Sequence, residues 1–262
     1  RYGMSSPVLC FPLSGSKQFW RAFSSTSSEC NGESSRLASC ASGTRHIQTS
    51  TERIMPSLTY WEESVTCCDE EWEKAYTRFE TPSEEIQKFT RRLKSLGAAT
   101  WPASARILDL FCGRGNGLKC LEEMAFSNLR GVDLSDQLLS QYAGPASLFV
   151  GDCRDLKLPD QSVDIVIIQG GLHHLPQLPG DLAAVLRETR RVLVDGGRLV
   201  AVEPWLTPFL YVVHKACDQS ILRRAWKKLD ALAVMNEREK TTYDQWLKQP
   251  EAVLAQLDEY YV

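Results

Sequence analysis

The chain has 262 residues, and its 30 Lys and Arg against 33 Asp and Glu give a formal net charge of −3. That balance offers no global attraction for nucleic acid, which excludes a DNA- or RNA-coating role. No apolar run approaches the roughly 18 residues of a membrane-spanning helix. Nine cysteines form an odd count without a Cys-x-x-Cys pair, so a full disulfide framework is not expected. A reducing compartment, the cytoplasm first, follows. Adjacent Cys67 and Cys68 cannot easily share one ion, and no metal site is expected. No membrane or nucleic-acid partner is expected, and the oligomeric state is open.

Residues 1–55 are serine-rich and poor in acids, with Arg1, Lys17 and Arg21 all preceding the first acid, Glu29. Such composition cannot offset the entropy of ordering, and the segment reads as a disordered leader. It also suits an organelle transit peptide, mitochondrial or plastid. Equally, it suits a non-native extension with Met55 as the natural start. Residues 56–104 read as an N-terminal helical cap. Glu70 to Leu96 divides into two helical pieces at Thr81-Pro82, with Ser83, Glu84 and Glu85 suiting a helix start and Gly97 a stop. Tyr76 and Phe79 are either a lid over a site or the apolar stripe by which the helix docks.

Residues 105–206 alternate. Strand-like runs at Arg106–Phe111, Leu129–Leu134, Ser147–Val150, Val163–Gln169 and Arg198–Val202 enclose helix-like runs at Asn116–Ala125, Asp136–Tyr142 and Asp181–Val194. Runs such as VDIVIIQ are apolar on both faces, as strands covered from both sides must be. The expected fold class is α/β, an open, doubly wound, mostly parallel sheet. Residues 207–262 read as a helical, acceptor-side segment with helices at Phe209–Lys228 and Tyr243–Tyr260.

The first strand of this region runs into ILDLFCGRGNG at 107–117, with glycines at Gly113, Gly115 and Gly117. Glycine at a strand-to-helix turn permits positive φ and close backbone approach to a ligand. The helix behind it offers free N–H groups to an anion. Three acids sharpen the reading. Asp109 precedes the glycines, Asp133 ends the second strand and Asp152 ends the third. Asp133 is placed to accept both hydroxyls of a ribose, and Asp152 an exocyclic adenine amine with the Cys153 N–H facing the ring. Each alone suits a turn or cap equally well. Together, on the carboxyl edge of one sheet, they outline a ligand with an adenosine and a small charged tail.

DLFCGRGNG (109–117), GVDLS (131–135), GDCRDLKLPDQSVDIVIIQGGLHHL (151–175) and ETRRVLVDGGRLVAVEPW (188–205) resemble the class I S-adenosylmethionine-dependent methyltransferases of the "type 11" kind. The resemblance implies a Rossmann-like sheet with S-adenosylmethionine as cofactor. It implies that Asp109, Gly113 and Gly115 hold the methionine part, Asp133 the ribose and Asp152 the adenine side. Gln169 would lie near the reactive methyl, and Phe111, Leu134 and Cys153 complete the expected contacts. Two departures stand out. Phe111 replaces a glycine usual in the family, and is expected to pack either on the ligand or under the loop. The family's terminal antiparallel hairpin is not legible, which leaves Arg198–Val202 as an expected bare edge, with truncation or a covering partner as readings.

Methyl transfer to oxygen or nitrogen can use a general base, and histidine suits that task. His173 and His174 follow the fourth strand, so either is a catalytic candidate. The alternative is a packing role, and their side chains are expected to diverge. Glu203, Pro204 and Trp205 are acceptor-pocket or loop-packing residues. The acceptor is expected to be a small molecule. Two rival functions remain: a non-catalytic protein of the same fold, and a nicotinamide-dependent oxidoreductase. The second is supported by Tyr211-x-x-x-Lys215 and weakened by Leu118, which stands where a dinucleotide fingerprint has its third glycine or alanine.

Overall fold

The computed structural model describes residues 8–12, 57–61 and 69–261. Seven strands make one sheet: β1 (Val8–Pro12), β2 (Leu58–Tyr60), β3 (Arg106–Leu110), β4 (Asn128–Asp133), β5 (Ser147–Val150), β6 (Val163–Gln169) and β7 (Leu193–Val202). Their order is β1-β7-β6-β3-β4-β5-β2. The strands from β2 to β7 are parallel, and β1 lies antiparallel on the outer edge of β7. Strand order reverses between β3 and β6, the switch point at which open α/β sheets bind ligands beyond their carboxyl ends.

Alternation along the strands divides the core into two layers. Ile107, Ile165 and Ile167 face Phe89 and Leu93 of α2 (Pro82–Ser95) and Leu118 and Leu121 of α3 (Asn116–Glu123). Leu108, Val166 and Ile168 face Leu182, Val185 and Leu186 of α5 (Gly180–Val192) and Val253 and Leu257 of α10 (Pro250–Tyr261). Each such buried side chain contributes about 1.5–3 kcal/mol relative to exposure. This is the expected doubly wound class.

The break at Thr81-Pro82 separates α1 (Glu70–Phe79) from α2 as read from the sequence. Thr81 and Glu84 cap α2 reciprocally, and Asp69 accepts from Glu71 and Trp72 at the head of α1. Caps of this kind are worth about 1 kcal/mol each. Elsewhere the chain differs from expectation. The helix expected at Phe209–Lys228 is three: α6 (Pro208–Cys217), α7 (Ser220–Ala225) and α8 (Lys227–Arg238), with Trp226 extended between the last two. The helix expected at Tyr243–Tyr260 is α9 (Lys240–Lys248) and α10, parted where Pro250 lacks an N–H to continue the ladder. The helix at Asp136 is a single turn, α4 (Asp136–Leu139).

Two strands were not anticipated. β2 has three residues, too few for a pattern to register. β1 lies inside the leader expected to be disordered, and its five residues correct that reading locally. The physical reason is the row of unpaired N–H and C=O groups on β7, which the leader satisfies. The expected bare edge is therefore covered. The remaining leader residues, with Cys67 and Cys68, lie outside the described residues.

Candidate active site

The turn leaving β3 passes through the left-handed region three times, at Phe111 (φ 55), Gly113 (φ 53) and Gly115 (φ 74). The glycines adopt it freely, whereas Phe111 carries a cost. A Cβ on Gly115 would collide with the Tyr142 ring, so that glycine serves close packing as well as conformation. Glu85 of α2 holds the turn in place. It is buried, and accepts from Tyr76 Oη (2.6 Å), Asn116 Nδ2 (2.6 Å) and Arg114 Nε and Nη2 (3.1 and 2.9 Å). The helical cap is thereby bonded directly to the glycine turn.

Beyond the carboxyl ends of the strands lies a cavity of about 550 Å³ lined by Asp109, Asp133 and Asp152. Asp109 is buried, and burial first, then the charges of Asp133 and Glu85, push its carboxyl up to about 8. Asp133 accepts from the Gly113 N–H (2.8 Å) and the Ser135 N–H (2.9 Å), which ties the end of β4 to the glycine turn. Burial raises its pKa against those two bonds. Ser135 in turn donates to buried Glu73 of α1 at 2.5 Å. Asp152 is already engaged by Arg154, through its N–H (2.8 Å), Nε and Nη2 (2.5 Å). Burial raises the Asp152 pKa, but the Arg154 bonds outweigh it and hold the group below its ordinary value. Phe111, Gly113, Leu134, Cys153, Gln169, His173 and His174 line the same cavity, and Gly115 does not. Phe111 lies against Gly171, where a Cβ would overlap its ring. Tyr76 and Phe79 also line the cavity.

Residues 108–201 match the model of a methyltransferase domain. That stretch is similar to a methyltransferase domain. A demethylmenaquinone methyltransferase of Bacillus licheniformis is 29% identical over 143 residues, 50% of this chain and 60% of that protein. A 27-O-demethylrifamycin SV methyltransferase of Amycolatopsis mediterranei is 30% identical over 177 residues, 59% of each chain. The chain thus spans about 60% of the length of these curated relatives. The crystal structure of the PH0226 protein from Pyrococcus horikoshii is 25% identical, covers 56% of this chain and 68% of that one, and has a TM-score of 0.49.

The cofactor of a class I methyltransferase domain is S-adenosylmethionine, and the cavity fits it. Three carboxylates line the cavity toward a ligand with hydroxyls, amines and positive charge. Gln169 Oε1 is buried without a hydrogen-bond partner among the described residues, an acceptor suited to a ligand N–H or O–H.

At the other end of the cavity stands a buried network that only partly showed in the sequence. Glu203, at the end of β7, accepts from the Gly171 and Leu172 N–H groups (2.8 and 2.9 Å) and lies 2.7 Å from His173 Nδ1. His174 Nδ1 lies 3.1 Å from Glu239, which also accepts from Trp72 Nε1 at 2.9 Å. Contrary to expectation the two imidazoles do not diverge, since their centroids are 4.2 Å apart. His173, His174 and Glu239 bring ligand-type atoms within 4.8 Å of one another, and of these pairs only His174 and Glu239 are in direct contact at 3.1 Å among the contacts that hold the network. Pro204 lines the cavity, while Trp205 packs edge-on against Trp246. Tyr211 and Lys215 are exposed on α6 and do not line the cavity. Glu239 and Tyr243 line it without having been anticipated, because nothing in an amphipathic helix marks which polar residue faces a distant turn.

Proposed function

We propose that the chain transfers the methyl group of S-adenosylmethionine to a small-molecule acceptor. The observation that carries this reading is the single cavity lined by Asp109, Asp133 and Asp152 at the carboxyl edge of the sheet. In it Asp133 takes the ribose hydroxyls, while Asp109 and Gly113 hold the methionine part and Gly115, outside the lining, keeps the turn closed against Tyr142. Leu134 and Cys153 flank the adenine. Asp152 uses the acceptor capacity that Arg154 leaves free, since a carboxylate has about four lone-pair sites. Gln169 lies beside the reacting centre. When bound, S-adenosylmethionine supplies a methyl carbon already activated by its sulfonium.

His173 and His174 are the proposed catalytic residues at the acceptor end. With Glu203 accepting from Nδ1–H, His173 keeps its Nε2 lone pair and receives the acceptor's proton. The cap helices exclude water and orient the acceptor. The relatives named for menaquinone and rifamycin precursors support a small, ring-bearing acceptor. Cys112, Cys120, Cys153 and Cys217 are free and buried, which supports a reducing compartment, the cytoplasm. Among the described residues no helix is long and apolar enough to cross a membrane.

Metabolite extracts incubated with the protein and methyl-labelled S-adenosylmethionine, read by mass spectrometry, test the reading. It predicts one labelled product class that depends on His173. Donor binding without label transfer to any extract would favour a non-catalytic protein of the same fold.

A further inference from the structure

Nine large hydrophobic side chains are exposed among the described residues, and seven of them lie between residues 206 and 226. Tyr211 and Val212 on α6, Ile221 and Leu222 on α7, and Trp226 before α8 are 46–78% accessible. Scattered apolar residues on a surface need no explanation, but a cluster of this size on neighbouring helices does. α6, α7 and α8 pack on one another, so the residues share one region of the surface.

The charge there runs against that of the whole protein. Residues 205–228 hold Lys215, Arg223, Arg224, Lys227 and Lys228 against a single acid, Asp218, in a chain of net charge −3. Arg223 and Lys228 are committed to Asp230, Glu237 and Glu84. Arg224 and Lys227 have no carboxylate partner among the described residues, and they line a groove in which Arg78, Arg223 and these two cations outnumber the acids Asp218 and Asp230 by four to two. Exposed aromatic and aliphatic groups next to unpaired cations match an anionic bilayer surface, which offers acyl chains and phosphates at adjacent depths.

We propose that the α6–α8 face docks the protein on anionic membranes, as a peripheral contact and not a span. Another copy of this chain would bring the same uncompensated cations to the contact, whereas an anionic bilayer neutralises them. α8 connects the two surfaces. Trp226 and Lys227 stand at its head, while Leu232, Met235 and Glu239, at its far end and just beyond, line the cavity. A molecule partitioned in the bilayer would thus be presented next to the acceptor end.

Co-sedimentation of the full chain with vesicles of phosphatidylcholine, alone or mixed with phosphatidylglycerol, tests the proposal without any activity readout. The chain is expected to pellet with the mixed vesicles only. Ile221→Ser/Trp226→Ser and Arg224→Glu/Lys227→Glu, which alter exposed side chains, should keep the parent melting temperature and weaken partition about tenfold or more. Failure of the parent to pellet with anionic vesicles would overturn the proposal, as would variants that pellet as well as the parent. A dimer in sedimentation velocity that Ile221→Ser/Trp226→Ser converts to monomer would assign the face to a second copy instead.

Discussion

The carboxylate of Glu203 stands 2.7 Å from Nδ1 of His173 and accepts two backbone N–H groups of the same turn. One buried side chain therefore fixes both the path of residues 171–173 and the orientation of the imidazole. Glu203→Gln keeps an acceptor for the N–H groups but can present its amide N–H to Nδ1, which moves the ring proton to Nε2. Turnover should fall by about 10²–10⁴-fold, the usual worth of a general base, with donor affinity unchanged. Glu203→Ala leaves the buried donors unpaired and should cost about 1–3 kcal/mol in urea denaturation. Unchanged turnover in Glu203→Gln would remove His173 as the base.

Burial lowers the His173 pKa, but the hydrogen bond and charge of Glu203 outweigh it, and the net shift is upward from 6.5. Stability from the charged pair is thus full below about 6.5 and is lost as pH rises through the raised folded value. Turnover should run the other way, rising over the same interval as Nε2 becomes free. Rate profiles of the parent and Glu203→Gln, measured side by side, check the link.

Asp109 predicts a proton coupled to donor binding. With its pKa pushed up to about 8, the carboxyl is protonated at neutral pH in the free protein. A cationic ligand favours the ionised form, so binding should release a proton and tighten as pH rises toward 8. Calorimetry in buffers of different ionisation enthalpy reads that proton. The same group makes folding stability fall with pH between about 4 and its raised value, because the unfolded chain gives up the proton first. Asp109→Asn should abolish both effects.

Phe111 and Gly171 form a steric pair, since a Cβ at 171 would overlap the ring. Gly171→Ala should cost about 1–3 kcal/mol of stability, as overpacking does. Phe111→Gly relieves the clash and the positive φ of Phe111 together, so the double variant should recover part of the loss. Chemical denaturation of the two single variants and the double closes the cycle, and strict additivity would deny the contact.

The sheet was legible because its strands are largely apolar runs, two of them ending in Asp133 and Gln169 and a third carrying Asp109 one residue before its end. The acids were legible because strand ends on one edge converge whatever the loops do. The Phe111 φ and its packing on Gly171 were not, since a lone aromatic in a glycine turn suits more than one conformation. Glu85, Glu203 and Glu239 illustrate the deeper limit. Each is a carboxylate whose partners lie far along the chain, from Arg114 and Asn116 for Glu85 to Trp72 and His174 for Glu239. Local pattern reports the helix or strand that carries such a residue, and only tertiary packing selects its partner.

Calorimetric titration of S-adenosylmethionine into the full chain and into Asp133→Ala tests the donor site most directly. The parent should bind one equivalent, with NAD(P)H giving no heat, and the variant should bind about tenfold more weakly or worse, given about 1.5–3 kcal/mol for each hydrogen bond to a charged acceptor. Equal affinity in the two proteins, or saturation by NAD(P)H in place of S-adenosylmethionine, would contradict the assignment of this cavity to a methyl donor.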